Sequence, residues 1–299
     1  MVITARSATK LNICLTLVSE GEEMKNKSFM SRLIAVPHLL WTVIFIVAPL
    51  IMVVYYAFTD RNGSFTFENI KAMGYYTYVN VFMRSLWYGI IVTIICLVIA
   101  YPFGYIVARY APKTRGTMIM LIMLPMWMSL LLRTYSIMAL ISDTGIINSF
   151  FEFIGIGRIK MINTPFAVIL GMVYDFLPFM ILPIYSVLSK MDTCLIETAY
   201  DLGANKRNVL MKVVLPLSRS GIISGATMVF VPSVSTFFIS QRLGGSKTAL
   251  IGEIIESLFV KNDNPHLGSA ISLILMVLIL ICMAVMNKFS DDEEGAIMI

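Results

Sequence analysis

Residues 168–204 read VILGMVYDFLPFMILPIYSVLSKMDTCLIETAYDLGA. Up to Ser189 the stretch carries a single charge, Asp175; from Lys190 onward Lys190, Asp192, Glu197 and Asp201 arrive at helical spacing. About 20 consecutive apolar residues cross the roughly 30 Å of a bilayer's hydrocarbon, so the first part reads as a membrane span near 166–188. Pro178 and Pro183 inside it predict a bent or interrupted helix, which neighbouring helices can tolerate by satisfying the freed backbone groups. The second part reads as a short amphipathic helix leaving the membrane.

On either side, similar apolar windows recur near 35–57, 86–108, 117–138, 219–240 and 267–287. Of 299 residues, 58% are hydrophobic and 14% charged, and mean hydropathy is +0.82. Soluble domains carry about 25% charged residues. The fold class is therefore all-α, a polytopic membrane protein with six transmembrane helices. The net charge of +5 calls for no nucleic acid; basic residues beside spans record orientation. With the N-terminus cytoplasmic, 14 of the 23 Lys and Arg residues fall on the inner side, the arrangement that the positive-inside tendency favours. Both termini are then cytoplasmic, and so is the segment after Lys190.

The spans divide the chain into an N-terminal cytoplasmic extension (1–30), a six-helix membrane domain (31–290) and an acidic tail (291–299). Residues 11–18, LNICLTLV, are too short for a signal peptide and precede an acidic GEE, whereas Met24 opens MKNKSFMSRL, a basic entry to a first span. Translation is expected to begin at Met24, with 1–23 outside the cellular protein. On the outer side, residues 58–85 read as a loop with a short interfacial helix. IINSFFEFIGI (146–156) reads as an amphipathic piece against the membrane, and 242–266 has helix-like apolar spacing. Glu253 and Glu256 there suit either a docking face or a solvated one.

Catalytic signatures are missing. GGSKT (244–248) lacks the Gly-Lys adjacency and upstream glycine of a phosphate loop. His38 and His266 stand far apart, and Cys14, Cys96, Cys194 and Cys282 have neither metal-ligand spacing nor a disulfide framework. The chain reads as a non-enzyme with no catalytic residue, metal or cofactor of its own, and energy-dependent work would need another subunit.

The stretch after Lys190 continues as ANKRNVLMKVVLPLSRSG (204–221). Leu195, Ala199 and Leu202 lie near one stripe of a first helix, and Gly203 can adopt the left-handed conformation that ends it. A second helix comes next, with Val209, Val213 and Val214 apolar and Lys206, Arg207 and Lys212 polar, and Pro216 is expected to end it before the next span. On pattern alone, this helix–glycine–helix knuckle is either a rigid joint or a loop lying on lipid headgroups.

Glu197, Ala199, Gly203, Val213, Leu215 and Pro216 match the EAA signature of binding-protein-dependent ABC importer permeases: Glu-Ala-Ala, three residues, Gly, nine residues, then Ile-x-Leu-Pro. Thr198 and Val213 depart from it mildly. The chain is thereby similar to type I (MetI-like) permeases, with the coupling segment at about 190–218. LIMLPMWMSLLLRTYSIMALIS (121–142), residues 168–204 and ISQRLGGSKTALIGEIIESLF (239–259) resemble the spermidine/putrescine branch. That resemblance implies half of a translocation pathway in a bacterial inner membrane. It implies as partners an ABC ATPase dimer, a second homologous permease, an extracytoplasmic solute-binding protein and a polyamine substrate. Glu197 would then face a basic residue of the ATPase, Ala199 and Leu202 would be buried in the contact, and Asp201, Gly203, Leu215 and Pro216 would complete the joint. The same machine could carry another small solute (amino acid-like, thiamine-like or phosphonate), and a non-transporting scaffold or sensor could keep the fold.

Asp175 lies about nine residues into its span, roughly 13 Å deep at about 1.5 Å per residue. Intramembrane carboxylates are costly and point to function. It would suit an ammonium group, with Tyr174 adding a ring face; the other reading is that Asp175 pairs with a neighbouring helix. Arg133, near the outer end of the third predicted span, reads as an anchor reaching water or a gate partner.

Overall fold

The computed structural model describes residues 36–297, except 73, 111–113, 246–247 and 262–263. The expected extension 1–30, and with it a start at Met24, lies outside the described residues. The chain divides into two compact units, residues 1–55 and 56–299. In the first, helix α1 (Val36–Ala57, whose last two residues belong to the second unit) is uniformly apolar and contains one π-helical turn, Val43–Val47.

The second unit is helical apart from an isolated antiparallel bridge, Thr59 with Phe65, among the described residues. A short helix α2 (Glu68–Ala72) leads to α3 (Tyr76–Tyr110). The helix α3 begins ten residues before the predicted span, inside what the sequence suggested was loop. Its extra turns are held by packing, since Val81 and Phe82 join a buried cluster with Ile251, Leu258 and Ile271.

The third predicted span is broken. Helix α4 (Arg115–Trp127) tightens to 3-10 geometry over Leu124–Trp127, where Pro125 removes a donor. Met128 and Ser129 are extended, and the chain restarts as α5 (Leu130–Ile141). A further helix, α6 (Ile146–Phe153), exposes Ile146, Phe150 and Phe153, and the stretch Leu130–Phe153 that α5 and α6 make together is long and apolar enough to cross a membrane.

Helix α7 (Pro165–Lys190) is uninterrupted despite Pro178 and Pro183, contrary to the interruption considered from sequence. Pro165 occupies its first turn, where a missing N–H costs nothing, and the Thr164 hydroxyl accepts from the Ala167 N–H. Then come α8 (Thr193–Asp201), α9 (Lys206–Leu217) and α10 (Arg219–Ser235), with a 65° bend between the last two. The chain ends in α11 (Phe238–Leu243), α12 (Ile251–Val260) and α13 (Pro265–Ile297). The backbone of α13 stays helical through most of the expected tail. Five helical segments are long and apolar enough to cross a membrane among the described residues, or six if α9 and α10 count as one bent span.

The core is the mutual packing of α3, α7 and α10. Val92, Cys96 and Ala100 of α3 meet Met172, Met180 and Ile184 of α7 and Val229 of α10 in one buried cluster. Small residues permit the close approach: a Cβ at Gly225 would fall 2.8 Å from the Met180 sulfur. Without a hydrophobic driving force in lipid, such small-residue contacts and van der Waals packing carry helix association.

Candidate functional site: an exposed helical joint and a buried ion pair

The joint is stiffened at each end of each helix. Asp192 caps α8, its Oδ1 accepting from the Cys194 N–H at 2.9 Å. At the other end the Ala204 N–H donates to the Ala199 carbonyl at 3.1 Å and the Gly203 N–H to the Tyr200 carbonyl at 2.9 Å. This is the paired bonding of a Schellman cap, with glycine as the left-handed residue. Gly203 has φ +80°, and a Cβ there would meet nothing within 4 Å. Backbone conformation, not space, demands glycine. Asn205 then caps α9, its Oδ1 accepting from the Asn208 N–H at 3.0 Å.

Ile196, Val209 and Val214 are buried in the main core cluster, with Ala199 and Ala204 packed against it. Glu197 and Asp201 face outward with Leu202, which is 83% exposed. Ala199, expected in the contact with an ATPase, therefore packs into its own chain, where its carbonyl also closes the cap. Leu195 and Leu202 do not share its face: the inward stripe is Ile196 and Ala199, and Leu195 and Tyr200 are exposed. Ile196 escaped the sequence reading, although its spacing of three from Ala199 puts the two on one face of the helix.

At the far end Leu215 is partly buried and Pro216 exposed in the last turn of α9. A π-helical turn, Leu210–Val214, precedes them. The chain does not stop at Pro216 but at Leu217, and the bend falls at Ser218. There the Ser218 hydroxyl donates to the Leu215 carbonyl at 3.1 Å and lies 3.0 Å from the Tyr101 hydroxyl of α3. The elbow is thus tied to two core helices.

Deeper in the bundle the structure brings together two residues that the sequence left apart. Arg133 is 8% exposed, in the first turn of α5, and does not reach water. Its Nη1 lies 3.1 Å from Asp175 Oδ1 on α7 and donates to the Asp175 backbone carbonyl at 3.4 Å. The contact to Oδ1 is ionic without hydrogen-bond alignment, and Asp175 Oδ2 has no donor. Asp175 is 1% exposed. Tyr174 is 42% exposed and, as the adjacent helical residue, points from a different face. It does not share the Asp175 environment. A second contact holds α5: the Arg242 guanidinium of α11 stacks 5.5 Å from the Tyr135 ring centroid and 5.6 Å from that of Phe238. Tyr135 and Arg242 both fall in stretches that carry the family resemblance, but nothing in their spacing pairs them.

The described residues thus form an all-helical bundle with several segments long and apolar enough to cross a membrane and a glycine-built joint at its edge. The chain belongs to the family of binding-protein-dependent transport system inner membrane components, which matches residues 100–292. It is accordingly a multi-pass inner-membrane permease component and not itself an enzyme. It is 39% identical over 246 residues to the spermidine/putrescine transport system permease protein PotB of Haemophilus influenzae, covering 80% of this chain and 86% of that one. To the protein of the same name from Escherichia coli K12 it is 34% identical over 245 residues, covering 79% and 89%. Among solved structures, a bacterial ABC transporter for import of the acidic polysaccharide alginate superposes with TM-score 0.73 at 16% identity, over 89% of this chain and 96% of that one. A bacterial alginate ABC transporter in complex with an alginate pentasaccharide-bound periplasmic protein gives TM-score 0.77 at 14% identity, over 89% and 95%. At such identities the likeness is one of fold.

Proposed function

We propose that this chain is one permease of an ATP-driven polyamine importer, with both termini cytoplasmic and the α8–α9 joint seated on a separate ATPase. The observation that carries the coupling role is the outward face of Leu202, Glu197 and Asp201 on a doubly capped knuckle. Side-chain caps at Asp192 and Asn205 and the Schellman turn at Gly203 hold that face in one place. The polyamine assignment is supported by the identity to polyamine permeases over most of the chain. An ATPase dimer, a second homologous permease and an extracytoplasmic binding protein complete the assembly.

Mechanically, closure of the ATPase pair presses on Leu202 and Glu197. The push reaches α7 through two residues, Met191 and Asp192, that separate it from α8, and reaches α10 and α3 through the Ser218 elbow. Those three helices form the core, so the knuckle can rock the bundle as a body, the general mode of alternating access. Within it Arg133 and Asp175 form a gate pair between α5 and α7. A substrate ammonium takes the guanidinium's place at Oδ1 while the pair is parted, and Oδ2 is already free of protein donors. Tyr174, on another face, would meet the cation only where α7 borders the second permease.

The test is uptake of radiolabelled spermidine by the complete transporter in proteoliposomes, with and without excess unlabelled spermidine or putrescine. Saturable, ATP-dependent uptake abolished by either competitor is expected. Uptake of another solute without polyamine competition would overturn the substrate assignment. Asp175→Asn should lower spermidine uptake per assembled complex about tenfold, beyond any fall in the amount of complex recovered, and unchanged uptake per complex would remove Asp175 from the pathway.

A further inference from the structure

Helix α12 carries two carboxylates one turn apart in different circumstances. Glu253 Oε2 lies 3.0 Å from the Ser240 hydroxyl, whose single proton is shared with the Phe237 carbonyl at 2.9 Å. Glu256 is turned into a groove of about 450 Å3 between α10, α12 and α13. Its Oε2 is buried and has no hydrogen-bond partner. Glu253 thus lies against a hydroxyl of its own chain, and Glu256 faces a concavity.

The groove wall is apolar, with Leu275, Met276 and Ile279 of α13 opposite, and its other polar side chains include Ser235 and Ser272. Both hydroxyl protons are already committed. Ser235 donates to the Val231 carbonyl at 3.1 Å and Ser272 to the Gly268 carbonyl at 2.8 Å. What the two serines and Glu256 present to the groove is therefore oxygen lone pairs. An acceptor-only lining with an anionic centre repels phosphates and carboxylates and leaves a neutral apolar guest without a partner for Oε2. An occupant with N–H donors, positive charge and an alkyl chain satisfies every part of it. The volume lies within the roughly 300–1,000 Å3 typical of small-ligand sites, and a half-buried carboxylate with one oxygen shielded from water and unpartnered gains from a nearby cation.

We propose that this groove is an alkylammonium site, in which Glu256 pairs with one ammonium group of the cargo while its methylenes lie along Leu275, Met276 and Ile279. It rests on the polyamine reading and adds a second carboxylate, on a different helix pair from Asp175. Two separated anionic stations suit a molecule whose charges are spaced along a chain. They let it pass from one to the next without ever being bound at all its charges at once.

The experiment compares wild type, Glu256→Gln and Glu256→Asp as complete transporters in proteoliposomes, reading spermidine uptake, basal ATPase activity and subunit composition. Glu256→Gln should lower uptake at least about tenfold with basal ATPase activity and assembly intact. Glu256→Asp should keep uptake within about threefold of wild type. In a further arm, Glu256→Cys in a background without the native cysteines is labelled by a cationic thiosulfonate. Spermidine should slow that labelling and an equal concentration of sodium chloride should not. Wild-type uptake in the Gln variant overturns the site. So does loss of the second permease from the purified Gln complex, which would give Glu256 to a basic side chain of that partner. If wild type itself fails to take up spermidine, the polyamine reading falls first and this site with it.

Discussion

The two polar regions of this permease solve opposite problems. In the bundle, Arg133 and Asp175 are nearly sealed from solvent and answer one another across α5 and α7. At the joint, Glu197, Asp201 and Leu202 are exposed, and none of the three owes its position to a partner within the chain; capping and the inward stripe hold them out. A buried charge has to be neutralised where it stands, because an unpaired ion in low dielectric is expensive. An exposed apolar side chain at the tip of a stiffened turn carries little internal cost and is meaningful only against another surface. The first region is thus a property of the fold, and the second is a property of an assembly.

The largest effect on the isolated chain should come from cutting the buried pair on one side. Arg133→Leu leaves Asp175 buried without its cation, a change that costs about 3–5 kcal/mol in buried pairs. Thermal unfolding of the purified permease in detergent should show a pronounced loss of stability, and removing both charges (Arg133→Leu with Asp175→Leu) should recover most of it. Equal stability of wild type and the single variant would mean that the pair is solvated in the membrane, and the contrast with the joint would collapse.

How much of this was legible in the sequence depends on how local each feature is. The joint was readable because its determinants are neighbours: Gly203 ends α8 within a few residues of Glu197 and Ala199, and the signature fixes that spacing. The spans were readable from apolar length, including the one opening near 166. Their interruptions were less so. Pro125 breaks its helix while Pro178 and Pro183 do not, because α7 is clasped by α3 and α10 on both sides, whereas α4 makes few such contacts. The misreading of Arg133 has the same origin. In a continuous span over 117–138 it would stand near the outer end and reach water; with the helix restarting at Leu130, it sits in a first turn facing α7. Its partner lies 42 residues away, and no period links them. Glu256 was likewise visible as a charge but not as one enclosed by α10 and α13, since only tertiary packing makes a groove.

An intermediate effect is expected where conformation alone is at stake. Gly203→Val places a β-branched residue at φ +80°, with a cost of about 1–3 kcal/mol for a left-handed non-glycine residue. The steric space is open, so the core should survive while the cap frays. Hydrogen exchange of the α8 and α9 amides should accelerate, and spermidine-coupled ATP hydrolysis should fall in proportion. Gly203→Asn tolerates the left-handed region better and should keep most coupling. Equal behaviour of Val and Asn would show that the site is not conformational.

The smallest effect on the chain itself, and the most telling for the contrast between core and joint, belongs to Leu202→Asp. Leu202 is 83% exposed at the C-cap of α8, where a negative charge meets the negative end of the helix dipole at a cost of about 0.3–1 kcal/mol. Thermal unfolding of the isolated permease should therefore change little. If the exposed leucine is the tip that enters an ATPase groove, the buried charge it introduces there should weaken ATPase retention during purification at least about tenfold, equivalent to roughly 1.4 kcal/mol. Uptake should be lost with it. A variant that unfolds early would assign Leu202 to the permease's own packing, and one that both folds and couples normally would leave the joint without its contact residue. Only stability retained with coupling lost gives the two regions the separate duties argued for them: charge answered inside the chain, and an apolar tip answered outside it.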